Sequence, residues 1–527
     1  MTEQRNLVFI LADNHNSRYM GCAGHPVVRT PNLDAIARQG TRFAAAYCAS
    51  PLCCPSRAAL ATGRYPHETG YWDNALAYDG RVPSWMHRLS EAGHYVAAIG
   101  KLHFKGSGVA GFAREIVPMH IVDGRGAVRN LLRSYGRGEP DDSEGNRWDI
   151  YFAQPPGGTT EYFEYDEEIT RQAMQWLQEV APGLKEPWAL FVSYACPHPP
   201  LQAPKRLLDL YPPDEMPLPA HFRIDERARH ASAEHHRRKF GTREIRDEKA
   251  VKSMVSAYCA LVTHIDEQVG RVLSCVDAVP GPAPRVVYSS DHGDMLGAHG
   301  MLGKGLLYED AVRVPLLMRG DGIPAGYVAQ EPVSHVDLFP TILEAAGLGD
   351  RAVPDLPGRP LLAALRTGIW MRKPLFAEYH ANFSRTGSFM LLDEGYKFVY
   401  HAEMPSQLFN LLEDPAEVDD LLENPSQRAK DVAGDLERKL REICDPDAVD
   451  RQAKSAQRAL AETYGGEDAI AGHGSIAFTP APIAPAVPDG RRPGVSRGRI
   501  SGAARYGLGM TVPQDLQVRN SSLSKKR

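Results

Sequence analysis

Leu7-Val8-Phe9-Ile10-Leu11-Ala12, closed at once by Asp13-Asn14, is the stretch from which the architecture of this chain is read. An unbroken apolar run bounded by a polar pair reads as a strand buried on both faces, the pattern of a parallel sheet covered by helices. Tyr95 to Ile99, Trp188 to Ala195 and Arg285 to Ser290 repeat it. Helical patterns lie between these runs: Thr30-Pro31 leading into Leu33, Ile36 and Ala37 before Gly40, then Glu168 to Val180, then Val251 to Leu273 with Met254, Tyr258, Leu261, Ile265 and Val269 in register. The alternation predicts an α/β domain built on a large, mostly parallel sheet sandwiched by helices.

Ligands of open α/β sheets bind beyond the carboxyl ends of the strands. Polar groups stand at each of these ends: Asp13-Asn14, Lys101 and His103 after Ile99, His198 after Ala195, and Asp291-His292 after Ser290. Carboxylate and amide oxygens suit Ca²⁺ or Mg²⁺, and the imidazole also admits Mn²⁺. Asp13-Asn14 and Asp291-His292-Gly293 therefore make a candidate hard-cation site, with a helix or turn cap for Asp13-Asn14 and a turn for Asp291-His292-Gly293-Asp294 as the competing readings.

A second stretch, Ser50-Pro51-Leu52-Cys53-Cys54-Pro55-Ser56-Arg57 followed by Thr62-Gly63-Arg64-Tyr65-Pro66-His67, reads as a nucleophile at the mouth of a helix. Pro55 suits a first helical turn, Ala58, Ala59 and Leu60 propagate it, and Gly63 can end it in a left-handed C-cap. Cys53 then lies at the helix N-terminus, where unpaired N–H groups and the positive end of the dipole favour an anion, and Arg57 adds a fixed charge. Two cysteines packed as small hydrophobes are the alternative.

Cys53-Cys54-Pro55-Ser56-Arg57 resembles the Cys-x-Pro-Ser-Arg signature of the type I sulfatases in the alkaline phosphatase superfamily. The resemblance implies an alkaline phosphatase-like fold and conversion of Cys53 to formylglycine by a formylglycine-generating enzyme. The hydrated aldehyde would attack a small-molecule anionic ester. A thiol would leave a thiosulfate ester that is hard to release, whereas a geminal diol attacks with one hydroxyl and expels sulfate with the other. The resemblance also implies one divalent metal ion, Ca²⁺ foremost with Mn²⁺ or Mg²⁺ as options, held by Asp13, Asn14, Cys53, Asp291 and His292. Asn14 stands where the family more often has a second Asp.

Gly100-Lys101-Leu102-His103 is similar to the family's Gly-Lys-x-His, and His299-Gly300-Met301-Leu302-Gly303-Lys304 to the segment whose lysine bridges nucleophile and leaving oxygen. His198 matches the histidine that protonates the leaving alcohol. Arg57 is expected to hold a carboxylate or the nucleophile's hydroxyl, with His67 either assisting it or structural. Thr263-His264-Ile265-Asp266, Arg313-Val314-Pro315-Leu316 and Val336-Asp337-Leu338-Phe339-Pro340-Thr341 carry the likeness over roughly residues 5 to 425. The expected reaction is hydrolysis of sulfate monoesters. Phosphonate monoesters or phosphodiesters at the same site are the alternative, and a metal-bound binding protein that keeps Cys53 as a thiol is a third reading.

With 527 residues and 43% hydrophobic content the chain can bury a large core beside a smaller one. A net charge of −5 gives no global attraction to nucleic acid or anionic membrane, so neither is an expected partner. Leu7 to Ala12 is too short for a signal peptide, no span reaches transmembrane length, and the eight cysteines show no framework spacing. A cytoplasmic protein is expected. Beyond Leu362 the pattern changes to short strands at Pro374 to Tyr379, Phe389 to Leu392 and Lys397 to Tyr400, then a helix through Val432 to Ile443. The expected division is a catalytic domain over 1–362, a small α+β subdomain with an antiparallel sheet and helix over 363–450, and an extended or partly disordered tail over 451–527. That tail is suited to wrap a neighbouring subunit, which leaves a homo-oligomer open. His230 to Lys239 reads as a solvated loop or helix near the entrance.

Overall fold

The computed structural model describes residues 4–121, 151, 158–349, 353–381, 384–472 and 479–482. Leu7–Asp13 forms strand β1, buried at every position. Around it stand β2 (Gly40–Phe43), β3 (Tyr95–Lys101), β4 (Arg114–Met119), β5 (Trp188–Pro197), β6 (Arg285–Ser290), β7 (Leu316–Arg319) and β8 (Tyr327–Ala329), in the order β8-β2-β7-β6-β1-β5-β3-β4. β1 runs parallel to both neighbours, with Leu7 level with Ala189 and Arg285, so Asp13 and Asp291 emerge at the same edge. The sheet is mixed rather than uniformly parallel, because β7 runs antiparallel to β2 and β6. Its four residues carry no signal of direction, and only their partners set it.

Helices α1 (Pro31–Gln39), α3 (Glu161–Gln175) and α4 (Glu248–Val276) pack together, and α2 (Cys53–Thr62) packs against α5 (His335–Ala345). α2 is buried throughout and ends where Gly63 takes φ 66°, its N–H donating to the Ala59 carbonyl. α3 starts about two turns before the expected Glu168, since the Thr160 hydroxyl accepts the Phe163 N–H and caps it there. Gly100 has φ 104°, and a Cβ there would lie 2.1 Å from the Ser193 carbonyl oxygen. β3 shifts register at this point, between Ile99 and Lys101.

The small sheet is antiparallel, β9 (Leu375–Tyr379), β10 (Ser388–Asp393), β11 (Tyr396–His401) and β12 (Met404–Asn410) in that order. Asp393 pairs with Tyr396 across Glu394-Gly395, both at positive φ as a two-residue hairpin turn of this twist requires. Helix α6 (Gln427–Ile443) buries Ala429, Leu436 and Leu440 against Phe389, Leu391, Phe398 and Leu408. Residues 451–463, expected to lie in the extended tail, instead belong to helix α7, Pro446–Thr463. Asp445 caps it, Pro446 opens it, and Val449, Ala453, Gln457 and Ala461 form a buried stripe at helical spacing. Most of that tail, 473–478 and 483–527, lies outside the described residues. A short helix, Leu361–Thr367, crosses the boundary drawn at 362. Ala231–Phe240 is a helix whose His235, His236 and Arg237 are buried, not solvated.

His67 is tied to the small sheet. Its backbone N–H and ring Nδ1 both reach Glu378 Oε1 at 2.8 Å, while His380 Nε2 holds Oε2 at 2.8 Å. Burial would raise the Glu378 carboxyl, but His67 and His380 outweigh it and bring it down to about 2. A carboxyl depressed from the usual 4.5 stabilises fully above that value and loses its contribution as pH falls through about 2. Glu378→Gln is therefore expected to cost on the order of 3 kcal/mol at neutral pH, with the gap to the parent narrowing as acid is added below pH 4.5. Urea midpoints from pH 6 to 3 check it, and a constant gap would refute it.

Candidate active site

Arg57, one turn into α2, is buried and spends its guanidinium on the strand ends. Nη2 donates to Asp13 Oδ2 and Nε to Asp291 Oδ2, both at 2.9 Å, while Nη1 donates to the Lys101 carbonyl at 2.7 Å and Ser193 Oγ at 3.0 Å. The arginine thus binds β1, β3, β5 and the residue after β6 into one rim, using the planar fork that lysine lacks. Lys101 Nζ adds a second cation 2.8 Å from Asp13 Oδ2, with the Tyr162 ring 5.2 Å away. Burial would raise Asp13, but the charged Lys101 and Arg57 hold it well below the usual carboxylate range. Burial and the neighbouring Asp13 charge instead push Asp291 up to about 7, against Arg57. Arg57 and Lys101 match Asp13 and Asp291 in number, but both pair with Asp13 while only Arg57 reaches Asp291, which is the less well stabilised of the two.

A dication beside Asp291 would supply the stabilisation that its carboxylate lacks. Ligand atoms of Asp13, Cys53, Asp291 and His292, all buried, lie within 4.8 Å of one another. His292 Nδ1 donates to the Gly293 carbonyl at 2.9 Å, which fixes the tautomer and turns the Nε2 lone pair toward Cys53 Sγ, 3.2 Å away. Asn14 belongs to the same group. Its N–H donates to Asp291 Oδ1 at 3.1 Å, its Nδ2 donates to Asp294 Oδ2 at 2.6 Å, and its Oδ1 accepts from Lys304 Nζ at 3.2 Å. The expected metal residues and Lys304 are therefore brought together, and the donor set of carboxylate, amide and imidazole fits a divalent ion.

Cys53 opens α2 as expected, with Leu52 as its N-cap. Burial and Asp13 push its thiol up to about 12, so the unmodified sulfur stays protonated and is a poor nucleophile. His198 follows β5, and its Nδ1 donates to the Pro199 carbonyl at 2.7 Å. Burial, with Lys304 and Lys101 nearby, keeps it well below the ordinary imidazole range and neutral. His103 is buried beside Lys101 and Arg57, and its ring nitrogens have no hydrogen-bond partner among the described residues.

Three residues outside the sequence expectation complete the rim. Ser193, in the apolar run of β5, receives Arg57. Asp166 on α3 accepts the N–H groups of Ala195 and Cys196 at 2.7 and 2.9 Å and so shapes the turn into His198. Asp294 accepts from Asn14, from the Tyr151 hydroxyl at 2.8 Å and from the N–H groups of Leu296 and Gly303. A second acid three residues beyond Asp291 was the available signal for it, and a turn was the reading that hid it. Asp294→Asn would place an amide where only acceptors are wanted and release Asn14. Metal affinity is expected to fall about 10- to 100-fold, checked by calorimetric Ca²⁺ titration; an unchanged affinity would remove Asp294 from the site.

The chain matches the Sulfatase family model over residues 5–348 and the N-sulphoglucosamine sulphohydrolase C-terminal model over 297–445. It is 30% identical to the choline-sulfatase of Rhizobium meliloti (strain 1021), an alignment covering 80% of this chain and 83% of that one. Among solved structures it resembles one determined in complex with its substrate D-glucosamine-2-N,6-O-disulfate, with TM-score 0.66, 22% identity and coverage of 84% and 99% of the two chains. The phosphonate monoester hydrolase of Agrobacterium radiobacter matches equally well, with TM-score 0.66, 22% identity and coverage of 85% and 96%. At that identity the two structures speak for the fold.

Proposed function

Because this chain belongs to the sulfatase family, and is a sulfuric ester hydrolase on that ground, we propose that it cleaves sulfate monoesters with formylglycine at position 53 and one divalent cation, Ca²⁺ foremost. The observation that carries the reading is the convergence of Cys53 with Asp13, Asp291 and His292 at the mouth of a buried helix.

The hydrate of formylglycine supplies an attacking hydroxyl and a second hydroxyl able to expel sulfate, so the thiol's dead-end ester is avoided. When bound, the cation would supply Lewis-acid polarisation of a sulfate oxygen and a lowered pKa for the attacking hydroxyl. Asp13, Asn14, Asp291 and His292 would hold that cation. Arg57 aligns both carboxylates and favours their ionised forms, and the α2 N-terminus favours the bound anion. Lys101 neutralises the remaining sulfate oxygens, His103 orients them by hydrogen bonding, and Lys304 meets the charge that develops on the leaving oxygen. His198 is neutral in the free protein, and an anionic substrate raises its proton affinity so that it can protonate the departing alcohol. Maturation falls to a formylglycine-generating enzyme, and the eight free cysteines support a cytoplasmic setting.

The test is a pair of assays on the matured protein, an aryl sulfate against an aryl phosphonate monoester, each with and without chelator. Preference for the sulfate and loss on chelation are expected. The Asp-His pair of the metal set would equally serve phosphonate hydrolysis, and preference for the phosphonate would reassign the reaction.

A further inference from the structure

The loop that delivers Lys304 is held from outside the catalytic rim. Residues 295–303 fold back on Asp294, with the Met295 N–H donating to the Gly303 carbonyl at 2.7 Å and the Gly297 N–H to the Met301 carbonyl at 2.8 Å. At its tip His299 Nε2 donates to the Ala416 carbonyl at 2.9 Å. Where the chain leaves the loop, the Glu309 N–H donates to Glu417 Oε2 at 2.6 Å, and the buried Lys397 Nζ bridges Glu309 at 3.2 Å and Glu417 at 2.7 Å. Phe409 of β12 joins Met295, Met301, Leu306 and Tyr308 in a cluster apart from the main core. Glu417 sits at φ 58°, a left-handed conformation that a non-glycine residue keeps only where its surroundings over-determine it.

An ion triad of this kind is a poor source of stability, since well-packed apolar groups often do as well, but its directional contacts fix geometry. Resting on the role given to Lys304 above, we propose that Lys397 and Glu417 are positioning residues through which the C-terminal sheet sets Lys304 against the leaving oxygen. A displacement on the order of 1 Å of a reacting group is enough to cost about 100-fold in rate. The loss should grow with the basicity of the leaving group, because Lys304 acts on the charge that develops there.

The experiment compares Lys397→Met and Glu417→Gln with the parent, full chain, each normalised to formylglycine content, on a nitrophenyl sulfate and an unsubstituted phenyl sulfate. We expect kcat to fall about 10-fold on the first and about 100-fold on the second, with KM nearly unchanged. In a Lys304→Ala background the same substitutions should add less than about 2-fold. Equal losses on both esters, or losses that multiply with Lys304→Ala, would overturn the proposal while leaving the sulfatase reading intact. A parent without sulfate ester turnover would instead defeat that reading and this proposal with it. Should Lys397→Met not fold, Glu417→Gln, which keeps shape and one acceptor oxygen, decides the matter alone.

Discussion

Cys53→Ala is expected to lower kcat/KM for an aryl sulfate by about 10⁴-fold or more, because the side chain removed is the attacking group and no neighbour can replace it. Lys101, Lys304 and the cation ligands would remain to bind the ester, so affinity for a sulfate ester should persist while turnover disappears. Stability should change by only about 1 kcal/mol, since the thiol makes one contact at 3.2 Å with His292 and one at 3.9 Å with Asp13. Cys54→Ala is the matched control. Cys54 is equally buried but packs with Ala77 and Ile121, and its loss should leave turnover within about 10-fold. A mass spectrum across the motif of the parent should show CH₂SH replaced by an aldehyde at residue 53 and an intact thiol at residue 54. Undiminished turnover in Cys53→Ala would remove the mechanism altogether.

Arg57→Met is expected to be the most destabilising substitution in the rim. It leaves Asp13 and Asp291 buried side by side with their shared cation gone, and breaking one partner of such an arrangement costs about 3–5 kcal/mol. The Lys101 carbonyl and Ser193 hydroxyl lose their donor as well. The deficit should be largest in chelator and shrink on adding Ca²⁺, because a dication bound only by the folded state neutralises the same carboxylates. Arg57→Lys should fall between, keeping the charge but losing the fork that spans two carboxylates. Urea unfolding with chelator and with millimolar Ca²⁺ measures this. A deficit unaffected by the cation would mean that Arg57 and the metal do not share Asp13 and Asp291.

The elements that could be read along the chain are those whose signal is local. β1 announces itself by six apolar residues before Asp13, α4 by the apolar repeat Met254, Tyr258, Leu261, Ile265 and Val269, and α2 by the Pro55 to Gly63 punctuation. Parallel strands place their carboxyl ends on one side, so Asp13, Lys101, His198 and Asp291 could be assigned to a common edge without knowing the strand order. The residues that escaped notice make their contacts across long separations. Ser193 looks like an ordinary strand residue until Arg57 reaches it. Asp294 looks like a turn until Asn14 and Tyr151 donate to it. The helix Pro446–Thr463 escapes a local reading because its buried stripe, Val449, Ala453, Gln457 and Ala461, mixes small and polar residues whose burial depends on distant partners such as Asp73 and Ala75.

By itself, then, the order of residues determined which groups exist for the chemistry and the helix mouth and strand ends that carry them, because periodicity, caps and turn residues act over a few neighbours. Tertiary structure alone decided that β7 runs backwards, that one guanidinium joins two carboxylates 278 positions apart in the chain, counted from Asp13 to Asp291, and that Lys397 and Glu417 brace the Lys304 loop. Such pairings are settled by the burial of charge, whose cost depends on which distant partners arrive and not on any feature of the local sequence.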